Sequence, residues 1–298
     1  MPWHMWEITV KRPSMVDAHF HLWNLDTQNR GWLSDAWSES QAAYLGDYSP
    51  IKRNYLIDDL IEDFDGNDVV KAVHVQADWG GNQVDETRWL QSIADEHGYP
   101  HGIVARTDLR RADAQEELED HLRSPNVRGI RMLAYEPGLY LDLAFRRGFR
   151  HLGRLGLTFD LGTLWQQINE GYELVKAFPD TMFVLCHAGM PLSRGPEYLE
   201  GWRRAIRLVA SAPNLYVKVS GYGMGDHQWT IDSLRPMVLE TIETFGPERS
   251  MLATNWPVDR LYSSYTELVK AYENITLGFS PAELHGLWRG NAERFYRI

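Results

Sequence analysis

One cysteine, Cys186, is all the chain carries, so no internal disulfide can brace it and a reducing cytoplasm is its expected setting. Basic charge is scarce too: 30 Lys and Arg stand against 41 Asp and Glu, for a formal net charge of -11. Nucleic acid is therefore not an expected partner, because binding a phosphate backbone needs basic surface that displaces counterions. No stretch approaches the roughly 18 unbroken apolar residues of a membrane span, which removes the membrane as a partner. The opening Met1-Pro2-Trp3-His4-Met5-Trp6-Glu7 has no basic region followed by an apolar one, so no secretory leader is read there. Also missing is the Gly-rich turn that a dinucleotide site needs after its first strand; His19-Phe20-His21-Leu22-Trp23 stands in that place.

What remains is an ordinary globular composition, 44% hydrophobic and 24% charged over 298 residues, enough for a large core. Eight short apolar runs recur: Met15 to Trp23, Val69 to Ala77, Gly102 to Leu109, Val127 to Ala134, Leu157 to Thr163, Met182 to Ala188, Leu215 to Ser220 and Ser250 to Asn255. Amphipathic segments lie between them, among them Val84 to Glu96, Ala112 to Arg123, Asn169 to Phe178, Trp202 to Ala210, Ser233 to Phe245 and Tyr265 to Ile275. Strand and helix alternate without a break in composition, which predicts an α/β protein with a parallel sheet closed as a single (β/α)₈ TIM barrel, one domain over residues 1–298. An open doubly wound sheet is the alternative. The first crossover, Asn24 to about Tyr55, is long and carries Trp32, Trp37, Tyr44 and Tyr48, so it reads as an ordered lid. Ser280-Pro281-Ala282-Glu283 is a capping box that starts a C-terminal helix running through Phe295.

Alternation along a strand places His19 and His21 on one face, inward in a barrel, with Asp17 below them. Two imidazoles so spaced can share a metal ion or polarise one substrate. His187 ends the sixth run, where barrels carry catalytic groups; it would share a face with Leu185, leaving Cys186 to face the helices. The same rule turns His74, Gln76 and Asp78 inward on the second run, Arg131 on the fourth beside the space left by Gly129, Lys218 and Ser220 on the seventh, and Asn255 on the eighth. Buried cations need partners, so Arg131 and Lys218 call for Asp17, Asp78, Asp160, Asp259 or an anionic substrate. For Lys218 a structural ion pair and a substrate contact stay equally open. Of the twelve tryptophans, Trp23, Trp32, Trp79, Trp165 and Trp256 fall in loops and could wall a pocket. His97, His101, His121, His151 and His285 are read as surface residues.

Val16-Asp17-Ala18-His19-Phe20-His21-Leu22-Trp23, Gly31-Trp32-Leu33, Val75-Gln76-Ala77, Gly129-Ile130-Arg131, Cys186-His187-Ala188-Gly189, Lys218-Val219-Ser220-Gly221 and Thr254-Asn255-Trp256-Pro257-Val258-Asp259-Arg260, in that order, resemble the amidohydrolase superfamily. The likeness runs to Gly290-Asn291-Ala292-Glu293-Arg294-Phe295-Tyr296, and its nearest branch looks like the sugar lactonases and 2-pyrone-4,6-dicarboxylate lactonase. The resemblance implies a barrel that opens a lactone by water attack, with a divalent metal, often zinc, in some members and none in others. It makes His19, His21 and His187 metal ligands or carbonyl polarisers and gives Arg131 a substrate carboxylate or hydroxyl to hold. It also implies an aspartate at the end of strand eight as general base; Asn255 stands there, and an amide cannot take a proton near neutral pH. Asp259, four residues on, could reach back as the base, while Asn255 orients water or substrate. Gln76, Asp78, Lys218, Trp23, Trp32 and Trp165 complete the expected substrate site.

The function read from these residues is lactone hydrolysis of a small-molecule substrate, with His187 or Lys218 supplying the leaving group's proton. A non-oxidative decarboxylase of the same superfamily and a catalytically silent small-molecule binder are the two alternatives. Nothing in the sequence excludes a homo-oligomer.

Overall fold

A computed structural model describes residues 12–134 and 137–298; the leader reading at residues 1–7 lies outside the described residues. Eight parallel strands form one sheet in sequential order: β1 (Met15–Phe20), β2 (Val69–Val75), β3 (Gly102–Ala105), β4 (Val127–Arg131), β5 (Thr158–Leu161), β6 (Phe183–Leu185), β7 (Leu215–Val219) and β8 (Ser250–Leu252). The two edges meet through a parallel bridge between Phe20 and Trp256, with His21 N donating to Trp256 O at 2.7 Å and Asn255 N to His19 O at 2.8 Å. The result is the (β/α)₈ barrel that the alternation predicts.

The expected helices are present, several longer at their N-termini. The segment read from Trp202 begins at Pro196, after Gly195, because Pro fits the first turn of a helix. The helix read from Ser233 begins at Ile231, capped by the Thr230 hydroxyl. The C-terminal helix is interrupted by a π-turn, Gly286–Gly290, between Pro281–His285 and Asn291–Tyr296. Ile57–Phe64, a helix that sequence periodicity did not single out, ends the first crossover. Among the described residues, no helix is long and apolar enough to cross a membrane.

Two apolar layers sort the strand side chains. Val16, Ala18, Val73, Val75, Val104, Val184, Met251 and Ala253 fill the barrel with Phe295 and Tyr296. Phe20, Ala72, Ile103, Phe159, Leu161, Phe183 and Leu185 pack outward in the larger cluster that includes the helices. The C-terminal segment lies across the strand starts: Lys71 Nζ donates to Ile298 O at 2.9 Å, and Tyr296 OH reaches Asp160 at 3.0 Å.

The structure corrects four expectations. Asp17 does not lie below the histidines inside the barrel. It accepts from Thr254 N at 3.0 Å and from Tyr265 OH at 3.0 Å on the outer side. A bulge is the cause: Asp17 pairs with Ala72 and Phe20 with His74, three steps on β1 against two on β2, so the face changes between Asp17 and His19. His74 and Gln76 do not point inward either, because Val73 and Val75 take the inner positions. Nor does Cys186 face the helices. Val184 points inward and Leu185 outward, so regular alternation turns Cys186 in, its thiol 4.0 Å from Asp160; His187, at φ 50, ψ 36 beyond the end of β6, breaks the alternation and points inward as well. The space beside Gly129 serves β5 rather than Arg131, since a Cβ there would collide with Thr158 Oγ1.

Candidate active site

At the C-terminal ends of the strands three imidazoles meet. The His19 ring lies 4.9 Å from His21 and 4.5 Å from His187, centroid to centroid. His21 Nδ1 is 2.6 Å from Val75 O; a carbonyl only accepts, so this nitrogen carries the proton and Nε2 is bare. His187 Nδ1 is 2.8 Å from Ser220 Oγ. His19 sits beneath the other two, with Nδ1 3.3 Å from Lys218 Nζ and a buried Nε2 that has no partner. Burial holds the His19 and His187 rings well below the usual histidine range, reinforced by Lys218 and Arg131 respectively. His21 is pulled down to about 3 by burial and by Arg131. All three are neutral near pH 7.

His21 and His187 open onto a cavity whose wall also carries Asp78, Arg131 and Asn255. From the first crossover come Trp32, Gln41, Tyr44 and Leu45, so the lid reaches the site. Trp32 is fixed by its Nε1, which donates to Ala77 O at 3.3 Å. Trp37 and Tyr48 instead stack on each other at 4.6 Å, away from the wall. Leu133, Met190, Met224 and Val258 supply an apolar side. Of these, only Leu133 was legible, two residues beyond Arg131 on the same face; the others stand on turns where alternation has ended.

Several expected residues lie elsewhere. Trp23 stacks behind His21 at 6.3 Å and donates to Arg53 O, off the cavity wall. Trp165 packs on Tyr198 at 5.1 Å, also outside the wall. Gln76 contributes through its backbone: its carbonyl accepts from Arg131, while its side chain accepts from Asp78 N at 2.7 Å. Asp259 is buried behind Asn255 and does not line the cavity; its Oδ2 accepts from Asn255 Nδ2 at 2.6 Å. His121 is buried rather than superficial, its Nδ1 2.7 Å from Thr87 Oγ1.

The buried cations differ in their partners. Lys218 pairs with Asp160 at 2.6 Å and Arg30 with Glu86 at 2.6 Å, all four side chains shielded from solvent. Arg131 is 5% exposed, keeps a buried Nε without a partner, and has no carboxylate against it among the described residues. A guanidinium in that state is set to receive an anion or a hydroxyl.

Two donor groups could hold a metal. Ligand atoms of His19, Asp160 and Cys186 lie within 4.8 Å of one another, but the Lys218 ammonium already sits against Asp160 and His19. The three neutral imidazoles are the second set: His19 Nε2 is orphaned, His21 Nε2 is unprotonated, and carbonyl and hydroxyl partners hold the far side of the His21 and His187 rings.

The chain resembles known proteins over nearly its whole length. It is 42% identical to the uncharacterized protein y4mH of Sinorhizobium fredii, covering 96% of this chain and 99% of that one. It is 28% identical to an L-fucono-1,5-lactonase of Burkholderia multivorans, over 95% and 96% of the two chains. A crystal structure of an amidohydrolase from Burkholderia multivorans with bound zinc superimposes with a TM-score of 0.82 at 25% identity, covering 96% of this chain and 100% of the other. The amidohydrolase family itself matches residues 16–298. The barrel and its ring of polar side chains thus have a lineage: the chain belongs to the amidohydrolase family.

Proposed function

We propose that this protein opens a lactone ring by adding water to the ring carbonyl. The observation that carries the reading is the meeting of neutral imidazoles and the unpaired, buried Arg131 on one cavity. Lactonase relatives at family distance support it.

Arg131 holds a carboxylate or hydroxyl of the substrate by its free N–H groups. That contact turns the ring carbonyl toward His187, whose neutral ring donates an N–H to the developing oxyanion, and sets it beside His21. His21 Nε2, bare because Nδ1 is bonded to Val75 O, takes a proton from the attacking water. The water oxygen bonds to the carbonyl carbon, the ring C–O bond breaks, and His21 returns the proton to the leaving alkoxide. The product carboxylic acid then ionises, so each turnover releases one proton. Trp32 and Tyr44 from the lid keep bulk water away. A divalent ion such as zinc, when bound, would be held by His19, His21 and His187 and would polarise the carbonyl and acidify water.

A pH-indicator screen of sugar lactones, beginning with L-fucono-1,5-lactone, and of 2-pyrone-4,6-dicarboxylate tests this. Proton release by the wild type, reduced at least about a hundredfold in His187→Ala, is expected. Carbon dioxide release from aromatic carboxylates without lactone opening would instead establish the decarboxylase. No turnover with ligands that still raise the melting temperature would establish the silent binder.

A further inference from the structure

The loop that leaves β8 contains two polar side chains bonded to each other. Asn255 stands where the barrel closes, with φ 59, and it lines the cavity. Asp259 follows on the turn Val258–Leu261, 2% exposed and off the cavity wall. Its Oδ2 accepts from Asn255 Nδ2 at 2.6 Å, and its N–H bonds Asn255 O at 3.3 Å, so a closed turn joins the two. The space around the carboxylate is tight: a Cβ on Gly223 would meet Asp259 Oδ1 at 2.9 Å.

The polarity of that bond follows from chemistry. An ionised carboxylate has acceptors and no donor, so the NH₂ end of Asn255 must turn to it. The second contact of Asn255 Nδ2 is Met224 Sδ at 3.9 Å, again an acceptor. The amide oxygen is left on the cavity side, where it also borders the His21 ring. Arg131, on the same cavity, offers donors only. The cavity therefore has a donor group in Arg131 and acceptors in the Asn255 oxygen and the Asp78 carboxylate.

We propose that Asp259 is a positioning residue that acts through Asn255: it locks the amide so that Oδ1, and not the NH₂ group, faces the cavity and accepts a hydrogen bond from the attacking water. The orientation of the amide stands on the hydrogen bond alone; the identity of the donor rests on the lactone-hydrolase reading. Asp259 is then not the group that deprotonates water, since Asn255 stands between it and the substrate, and an amide does not pass a proton on. The arrangement also selects against a substrate that brings a carbonyl or carboxylate to Asn255, because two acceptors would face each other there. Burial pushes the Asp259 carboxyl up to about 7, so the test is run at pH 8, where it is ionised.

Two measurements on the full-length protein separate this proposal from the function it serves. In ¹⁵N-labelled wild type without substrate, the Asn255 side-chain amide should show a downfield proton and slow exchange; in Asp259→Ala, and in the isosteric Asp259→Asn should the first variant not fold, the shift should collapse and exchange should quicken about tenfold or more. Unchanged amide signals would overturn the proposal whether or not any lactone is a substrate. With L-fucono-1,5-lactone as the probe, Asp259→Asn should lower kcat about tenfold to a hundredfold with KM nearly unchanged, and should have no further effect in an Asn255→Ala background. An equal loss from Asp259→Asn in both backgrounds would make Asp259 an independent base and overturn the proposal. If the wild type leaves that lactone intact, the function is at fault, and the amide spectrum still decides the orientation.

Discussion

The ammonium of Lys218 lies 2.6 Å from Asp160 Oδ2, and neither side chain has any exposed surface. Tyr296 OH bonds the same carboxylate from the C-terminal segment, and His19 Nδ1 borders the ammonium. The pair links the barrel floor to the imidazoles above it.

Removing one partner leaves a buried charge alone. Lys218→Met and Asp160→Asn should each lose about 3–5 kcal/mol of unfolding free energy, while the double variant should lose clearly less than their sum. Urea denaturation monitored by tryptophan fluorescence measures all three.

The lid depends on a similar pair. Arg30 Nη2 donates to Glu86 Oε1 at 2.6 Å and also to Gln28 Oε1 at 3.0 Å, which ties the start of the first crossover to the helix Gln83–His97. Glu86→Ala should cost about 3–5 kcal/mol and speed limited proteolysis between residues 31 and 55. A cleavage pattern like that of the wild type would show the lid held by other contacts, such as Trp32 to Ala77 O.

Zinc binding should be visible as stability. At a concentration 100 times its dissociation constant the ion should add about 2.7 kcal/mol to unfolding, and His187→Ala should abolish the gain. Calorimetry with and without chelator reads this directly, independent of any substrate.

Stability should also depend on pH in two opposite ways. Burial raises Asp259 from 3.8 to about 7. The folded carboxyl thus binds its proton more tightly than the unfolded one, so its contribution is complete below about pH 4 and lost as pH rises through 7. Burial lowers His121 from 6.5 to about 4. Its contribution is present above pH 6.5 and lost as pH falls toward 4. Asp259→Asn should flatten the upper slope and His121→Gln the lower one, each tenfold change in proton affinity being worth about 1.4 kcal/mol. Chemical denaturation from pH 4 to 9 checks both.

Much of the architecture was legible because alternation is a local property. All eight apolar runs contain a strand, and two-residue periodicity put Arg131, Lys218 and Asn255 on the correct side. Its failures have local causes as well. A bulge reversed Asp17, and a left-handed turn at His187 set that ring inward beside Cys186, which ordinary alternation from Val184 already places inside. Neither leaves a signature in the residue types. The cavity wall was less legible than the barrel because Met190, Met224, Gln41 and Leu45 come from turns and the lid, whose paths are set by contacts far along the chain. Trp23 and Trp165 show the converse: loop tryptophans that serve packing.

The extra step in β1 also has a consequence for how such a strand can change. With a regular pleat, Asp17 and His19 would be bound to the same side, and the chain could keep its carboxylate on Tyr265 or its ring above Lys218, not both. One additional backbone unit uncouples them. Deleting Ala18 would therefore remove only that unit and bring β1 into step with β2, leaving Asp17 outside and His19 inside on a regular pleat at the cost of one side chain in the barrel.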